Sequence, residues 1–216
     1  MTMENMMKPS TLVPNPVFAE LASDEQIKRA AGALEANGIH TLIAENGEEA
    51  EKLVFDQLPE GAEVFTSMSE TLAKLGIPAE LASSGRYDVV RTKLAKMDRK
   101  TQNREMVKLG ATPEYIIGSI QAVTEDGKVL VASGTGSQLG PYSAGAEKVI
   151  WVVGAQKIVR DLEEGRHRLY EYALPREDAR MMALNGGHSS LNKILIVNKE
   201  RPGRVTMIIV KEELGF

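Results

Sequence analysis

The sequence predicts an α/β fold: a single domain of three layers, with helices on both faces of a central sheet. Capped amphipathic segments alternate with β-rich runs, the rhythm of a parallel sheet with helical crossovers. The run Lys148–Val153 is apolar after its first residue, as a strand covered on both faces must be. A length of 216 residues with 43% hydrophobic content supplies a sizeable core.

The elements follow in order. Three prolines, Pro9, Pro14 and Pro16, discourage a helix near the N-terminus, so residues 1–16 are expected to form a flexible tail and 17–216 the domain. Ser23 with Gln26 makes a capping box, followed at helical spacing by Ile27, Ala30, Ala31 and Leu34, with Gly38 as the stop. Ile39–Ala44 reads as a buried strand. Asn46 with Glu49 opens a second helix, Glu63–Thr66 is a short strand, and Ser67 with Glu70 opens a third helix. Tyr87–Leu109 reads as helical; between Arg91 and Lys108 it carries a net +5, read first as a solvated face and second as one wall of an anion-binding cleft. Tyr115–Val123 and Lys128–Ala132 are strands joined by a hairpin turn with Gly127 at the positive-φ position. Asp161–Tyr172 is a helix stopped at Pro175, and Glu177–Leu184 is another. Lys193–Val197 and Val205–Lys211 then close the sheet. The Ile39, Val64, Tyr115, Val129, Val149 and Ile194 segments are all expected in it.

Composition excludes several function classes. With no cysteine there are no disulfides, thiolate metal sites or cysteine nucleophiles. Three scattered histidines, His40, His167 and His188, make no metal-ligand spacing, so neither a metal nor another cofactor is expected. A net charge of −4 gives no general attraction to nucleic acid, and no apolar run approaches the roughly 18 residues of a membrane span. With no secretory signal, the expected location is the cytoplasm.

The loop Ser133-Gly134-Thr135-Gly136-Ser137-Gln138 is the outstanding candidate site. Its glycines let backbone amides approach a ligand, and its hydroxyls and amide add donors suited to a phosphate or carboxylate. It is neither a P-loop nor a dinucleotide fingerprint, because no Gly-Lys-Ser/Thr follows and Pro141 interrupts the helix. Gln156 and Lys157 follow the Trp151 strand, where an open α/β sheet places its ligand crevice. His188 lies in a glycine-lined loop as a candidate acid–base group. Glu125 occupies the hairpin turn; about 20 Å of strand separates it from Ser133, so it joins the loop only through a fold-back or a neighbouring subunit.

The run Pro113–Asp161 resembles the lactate-utilisation (LUD) domain family. It includes Ile117-Gly118-Ser119-Ile120-Gln121, Ala132-Ser133-Gly134-Thr135-Gly136-Ser137-Gln138 and Val149-Ile150-Trp151-Val152-Val153-Gly154-Ala155-Gln156-Lys157. Thr66-Ser67-Met68-Ser69-Glu70-Thr71-Leu72, Asn192-Lys193 and Glu213-Leu214-Gly215-Phe216 are similar to it too. The resemblance covers most of the chain from about Ala22. It implies the NagB/RpiA/CoA transferase-like fold, shared with ribose-5-phosphate isomerase, glucosamine-6-phosphate deaminase, coenzyme A transferases and 5-formyltetrahydrofolate cyclo-ligase. Glu125 then resembles the catalytic glutamate of the coenzyme A transferases, although Asp126 stands where lactate-utilisation members often have Thr. Two functions stay open. One is binding or conversion of a small anionic metabolite, in 2-hydroxy acid (lactate) utilisation. The other is a non-catalytic subunit docking to an iron–sulfur partner, since this chain has no thiolate to hold a cluster. A homo-oligomer is compatible with either.

Overall fold

The computed structural model describes residues 12–216. The expected tail lies outside the described residues up to residue 11. Beyond it, Asn15 caps a short 3-10 turn at Pro16–Ala19.

Helix α1 (Asp24–Ala36) starts at the expected capping box: Ser23 Oγ accepts from Gln26 N, and Gln26 Oε1 accepts from Ser23 N. Then come β1 (His40–Ala44), α2 (Gly47–Phe55) with Asn46 as its cap, and β2 (Glu63–Thr66). Helix α3 (Glu70–Lys74) is capped by Ser69, not by Ser67. Next are α4 (Ile77–Ser83), β3 (Asp88–Val89), α5 (Val90–Ala95) and α6 (Arg99–Ala111). Helix α6 buries none of its residues, in keeping with a solvated basic face.

Strands β4 (Tyr115–Gly118), β5 (Ala122–Thr124), β6 (Val129–Ser133), β7 (Lys148–Gly154) and β8 (Ile158–Val159) lead to α7 (Leu162–Arg168). A π turn at Leu169–Ala173 joins α7 to α8 (Leu174–Asn185). Pro175 therefore does not stop this helical stretch. The widened turn absorbs the proline, whose ring and missing N–H conflict with ordinary α-helical bonding, and Pro175 falls in the first turn of α8. Strands β9 (Lys193–Val197) and β10 (Val205–Val210) complete the fold.

Six strands form an all-parallel sheet in the order β1-β10-β7-β4-β2-β3. Side chains alternate across it with the strand period of two. Val149, Trp151 and Val153 enter one core cluster, Ile150 and Val152 the other. Helices α2, α3 and α4 cover the second face through Ala50, Val54, Leu72, Ile77 and Leu81. On the first face lie α1, α5 and a second sheet, ordered β8-β5-β6-β9.

The Val129 and Ile194 segments thus belong to this smaller sheet and not to the central one. The outer face of the small sheet is covered in turn by Leu169, packed with Ala122, Leu130 and Val159. The Ile39 segment is an edge strand and only partly buried, with Ile43 38% exposed. Among the described residues no helix is long and apolar enough to cross a membrane.

The two sheets are linked in a way that shapes the crevice. Neighbouring parallel strands β4 and β7 both leave the large sheet at its carboxyl edge, through Ser119–Gln121 and Ala155–Lys157. They pair again, still parallel, as β5 and β8 of the small sheet.

Candidate functional site

The paired crossings bring Ser119 and Lys157 together. Lys157 is 1% exposed, and its Nζ donates to Ser119 Oγ at 3.0 Å and to Thr71 Oγ1 at 3.1 Å. Thr71 comes from the first turn of α3 and donates its hydroxyl proton to Leu214 O at 3.0 Å. Among the described residues no carboxylate pairs with Lys157. Burial pushes its pKa well below the usual lysine value, and the positive charges of Arg168 and Lys74 push the same way.

Gln156, 2% exposed, holds the C-terminal strip over this floor. Its Nε2 donates to Leu214 O and Gly215 O at 3.1 and 3.2 Å, and its Oε1 accepts from Leu214 N at 3.4 Å. Gly215 adopts φ +62°, and a Cβ there would stand 2.5 Å from Thr71 Oγ1, so the strip can lie this close only with glycine. On the other side Tyr142 Oη donates to Ser67 Oγ at 3.1 Å; burial raises its pKa. The floor is thus Lys157 among the hydroxyls of Ser67, Thr71, Ser119 and Tyr142. Ser119 is its partly exposed member.

Arg168 lies beneath, fully buried, donating to Gln156 O, Gln121 O and Phe18 O at 3.3, 2.5 and 3.4 Å. Burial pushes its pKa down to about 10, which leaves it charged at neutral pH. Around the rim, Arg180 forms a two-point pair with Glu177, both bonds at 2.7 Å, and lies 3.8 Å from Glu70. Arg176 Nη1 donates to Tyr172 Oη at 3.4 Å.

The Ser133–Gln138 loop largely satisfies itself. Ser133 Oγ donates to Gln138 Oε1 at 3.0 Å and accepts from Gly136 N at 2.8 Å, while Thr135 Oγ1 lies 3.3 Å from Ser137 Oγ. Asn192 steadies it, donating to Gly134 O at 3.2 Å and, from its backbone, to Ser133 O. Strand β6 is not a neighbour of β7, and among the described residues no hydrogen bond joins the loop to Gln156 or Lys157. The connection is indirect: Gln121 Oε1 accepts from Ala132 N, and Gln121 O accepts from Arg168.

His188 is brought to the loop's flank instead. The neighbouring Ser190 O would stand 3.0 Å from a Cβ at Gly134. The imidazole is largely exposed, with Nδ1 3.1 Å from both oxygens of the buried Asp178 carboxylate, which also accepts from Ser189 N at 2.7 Å.

Glu125 lies elsewhere. The hairpin turn packs on α1, where the carboxylate accepts from Arg29 Nε at 2.8 Å and Gln26 Nε2 at 3.0 Å. Those two bonds hold its pKa below the ordinary value. Strand β6 runs from this turn to Ser133, so Glu125 and the loop occupy opposite ends of the small sheet.

Sequence reasoning did not single out Thr71, Ser119, Tyr142, Arg168 or Asp178 as functional. Ser119 and Thr71 stood inside the motifs that carry the family resemblance, which was their available signal. Arg168 and Asp178 sit in charged helical stretches and give none.

A family model described as the LUD domain matches residues 27–210. No curated protein matches the chain. Among solved structures the chain is similar to a DUF162 family protein from Deinococcus radiodurans. Identity there is 15% and the TM-score 0.51, with 88% of this chain and 99% of that one covered. It is also similar to eIF2B delta from Chaetomium thermophilum, at 15% identity and a TM-score of 0.34, over 68% of this chain and 55% of that one. The first likeness shows a shared fold, a parallel sheet flanked by helices. With the family model spanning most of its length, the chain belongs to the LUD domain family.

Proposed function

We propose that the chain binds a small carboxylated or phosphorylated metabolite at the carboxyl edge of its parallel sheet, above Lys157, Ser119 and Thr71. One observation carries this reading: among the described residues no carboxylate pairs with the buried Lys157 amine, and the positive charges of Arg168 and Lys74 act on it. A buried amine without a counter-charge is costly to keep charged, typically several kcal/mol, and the positive field of Arg168 and Lys74 beside it favours an anionic ligand. The hydroxyls supply neutral donors, and the Gly-rich loop and His188 form the outer flank. Such a ligand fits the 2-hydroxy acid (lactate) utilisation that the family name denotes.

A thermal-shift screen over sugar phosphates, nucleotides, folates, acyl-coenzyme A, 2-hydroxy acids and 2-oxo acids tests the reading. A saturating ligand at about 100 times its Kd adds about 2.7 kcal/mol of stability. The expected result is a shift with an anionic member that is lost in Lys157→Met. A response confined to an iron–sulfur partner protein would favour the docking role instead.

A further inference from the structure

Lys157 is an expensive way to satisfy two hydroxyls. Thr71 Oγ1 and Ser119 Oγ already lie 3.2 Å apart, and Thr71 has Leu214 O as its own acceptor. An apolar side chain would fill the space without the desolvation cost of an amine. The two hydroxyls instead accept two N–H bonds, which leaves the remaining tetrahedral position of Nζ without a protein partner among the described residues. In the neutral amine that position is the lone pair. Ser119 is the partly exposed group beside it, so the approach from solvent runs along that side.

We infer that Lys157 is an imine-forming amine, and that its partner is a small aldehyde or ketone carrying a carboxylate or phosphate. The inference rests on the anion-binding reading above: Arg168 and Lys74 draw the anionic group, and the partner-free position of Nζ beside Ser119 is where the carbonyl carbon would bond. The steps balance without any oxidant or reductant. The Nζ lone pair forms the C–N bond while the carbonyl oxygen takes up a proton, giving a carbinolamine. The hydroxyl then leaves as water with a second proton, and a C=N bond remains. Ser119, bonded to Nζ and open to solvent, is placed to pass the proton from nitrogen to oxygen. Burial lowers the pKa of the amine and so favours its neutral, nucleophilic form, as imine-forming lysines require.

The test uses the intact, unaltered chain. It is incubated with glyoxylate or pyruvate, reduced with borohydride, digested and mapped by mass. The expected result is a reduced adduct at Lys157 at least about tenfold above that at any exposed lysine, because an amine of ordinary pKa is almost wholly protonated at pH 7. Acetaldehyde, which lacks an anionic group, is expected to label Lys157 far less. Equal labelling by acetaldehyde would overturn the anionic substrate class, and labelling confined to exposed lysines would overturn the imine. A thermal shift with the oxo acids but no adduct at Lys157 sinks the imine alone and leaves anion binding standing. Neither shift nor adduct with these acids, and no shift with any anion of the screen, removes both.

Discussion

The Tyr142 hydroxyl occupies the space that a side chain at Gly118 would need: a Cβ added there would stand 1.7 Å from Oη and 2.5 Å from Ser67 Oγ. Glycine at the end of β4 is therefore what lets the ring cross the sheet edge, rest edge-on against Trp151 at 5.4 Å and reach Ser67. Gly118→Ala is expected to cost about 1–3 kcal/mol, the usual range for overpacking, read from urea unfolding midpoints. It should also weaken ligand binding, because Tyr142 and Ser67 must shift to make room.

Lys157 gives a pH signature with a definite sign. Its folded pKa lies below 10.5, so between the two values the unfolded chain binds more protons and stability climbs with pH. The steepest slope for one such group is about 1.4 kcal/mol per pH unit. Tyr142, whose phenol is pushed up, acts in the opposite sense above pH 10, so the comparison belongs below that. Denaturant midpoints at pH 7, 8 and 9 should rise in the parent and flatten in Lys157→Met.

For Glu125 the window is acidic. The bonds from Arg29 and Gln26 depress its pKa, so their stabilisation is present above 4.5 and is lost as pH falls through the lower folded value. Glu125→Gln should flatten the acid limb of an unfolding titration while leaving the response to anionic ligands unchanged. A lost ligand response would return Glu125 to the site.

Asp178 anchors the loop that carries His188. Replacing it with Ala removes the acceptor for Ser189 N and for His188 Nδ1, at a cost of about 1–3 kcal/mol for the unmet groups. Faster proteolytic cleavage between residues 186 and 190, with the rest of the chain still protected, is the expected readout.

What the sequence made legible was local chemistry. The Ser23 and Gln26 capping box, the Asn46 cap and the positive φ at Gly127 each need only neighbouring residues, and each stands where expected. Sheet membership is not local. Val129 and Ile150 are equally apolar and β-prone, yet one lies in the small sheet and the other in the large one. That division depends on the departures at Ser119 and Gln156, which carry no turn signature of their own. The same limit hid the site: Thr71, Ser119 and Lys157 are linked only through partners 38 to 86 positions apart. Pro175 misled for a different reason, since proline arrests a regular α-helix but is accommodated after a π turn.

Strand β10 is inserted between β1 and β7, pairing Thr206 with both His40 and Ile150. During synthesis, then, β1 has no strand partner until Val205–Val210 emerges, and β7 presents one bare side for the same interval. Two unpaired apolar edges on a nascent chain are templates for pairing with other molecules. The burden of keeping these edges from aggregating thus falls on the period before β10 leaves the ribosome. Such long-range pairing also slows closure of the sheet once the chain is free. Chaperone dependence in the cell should accordingly track translation past residue 210 more closely than the equilibrium stability of the finished fold.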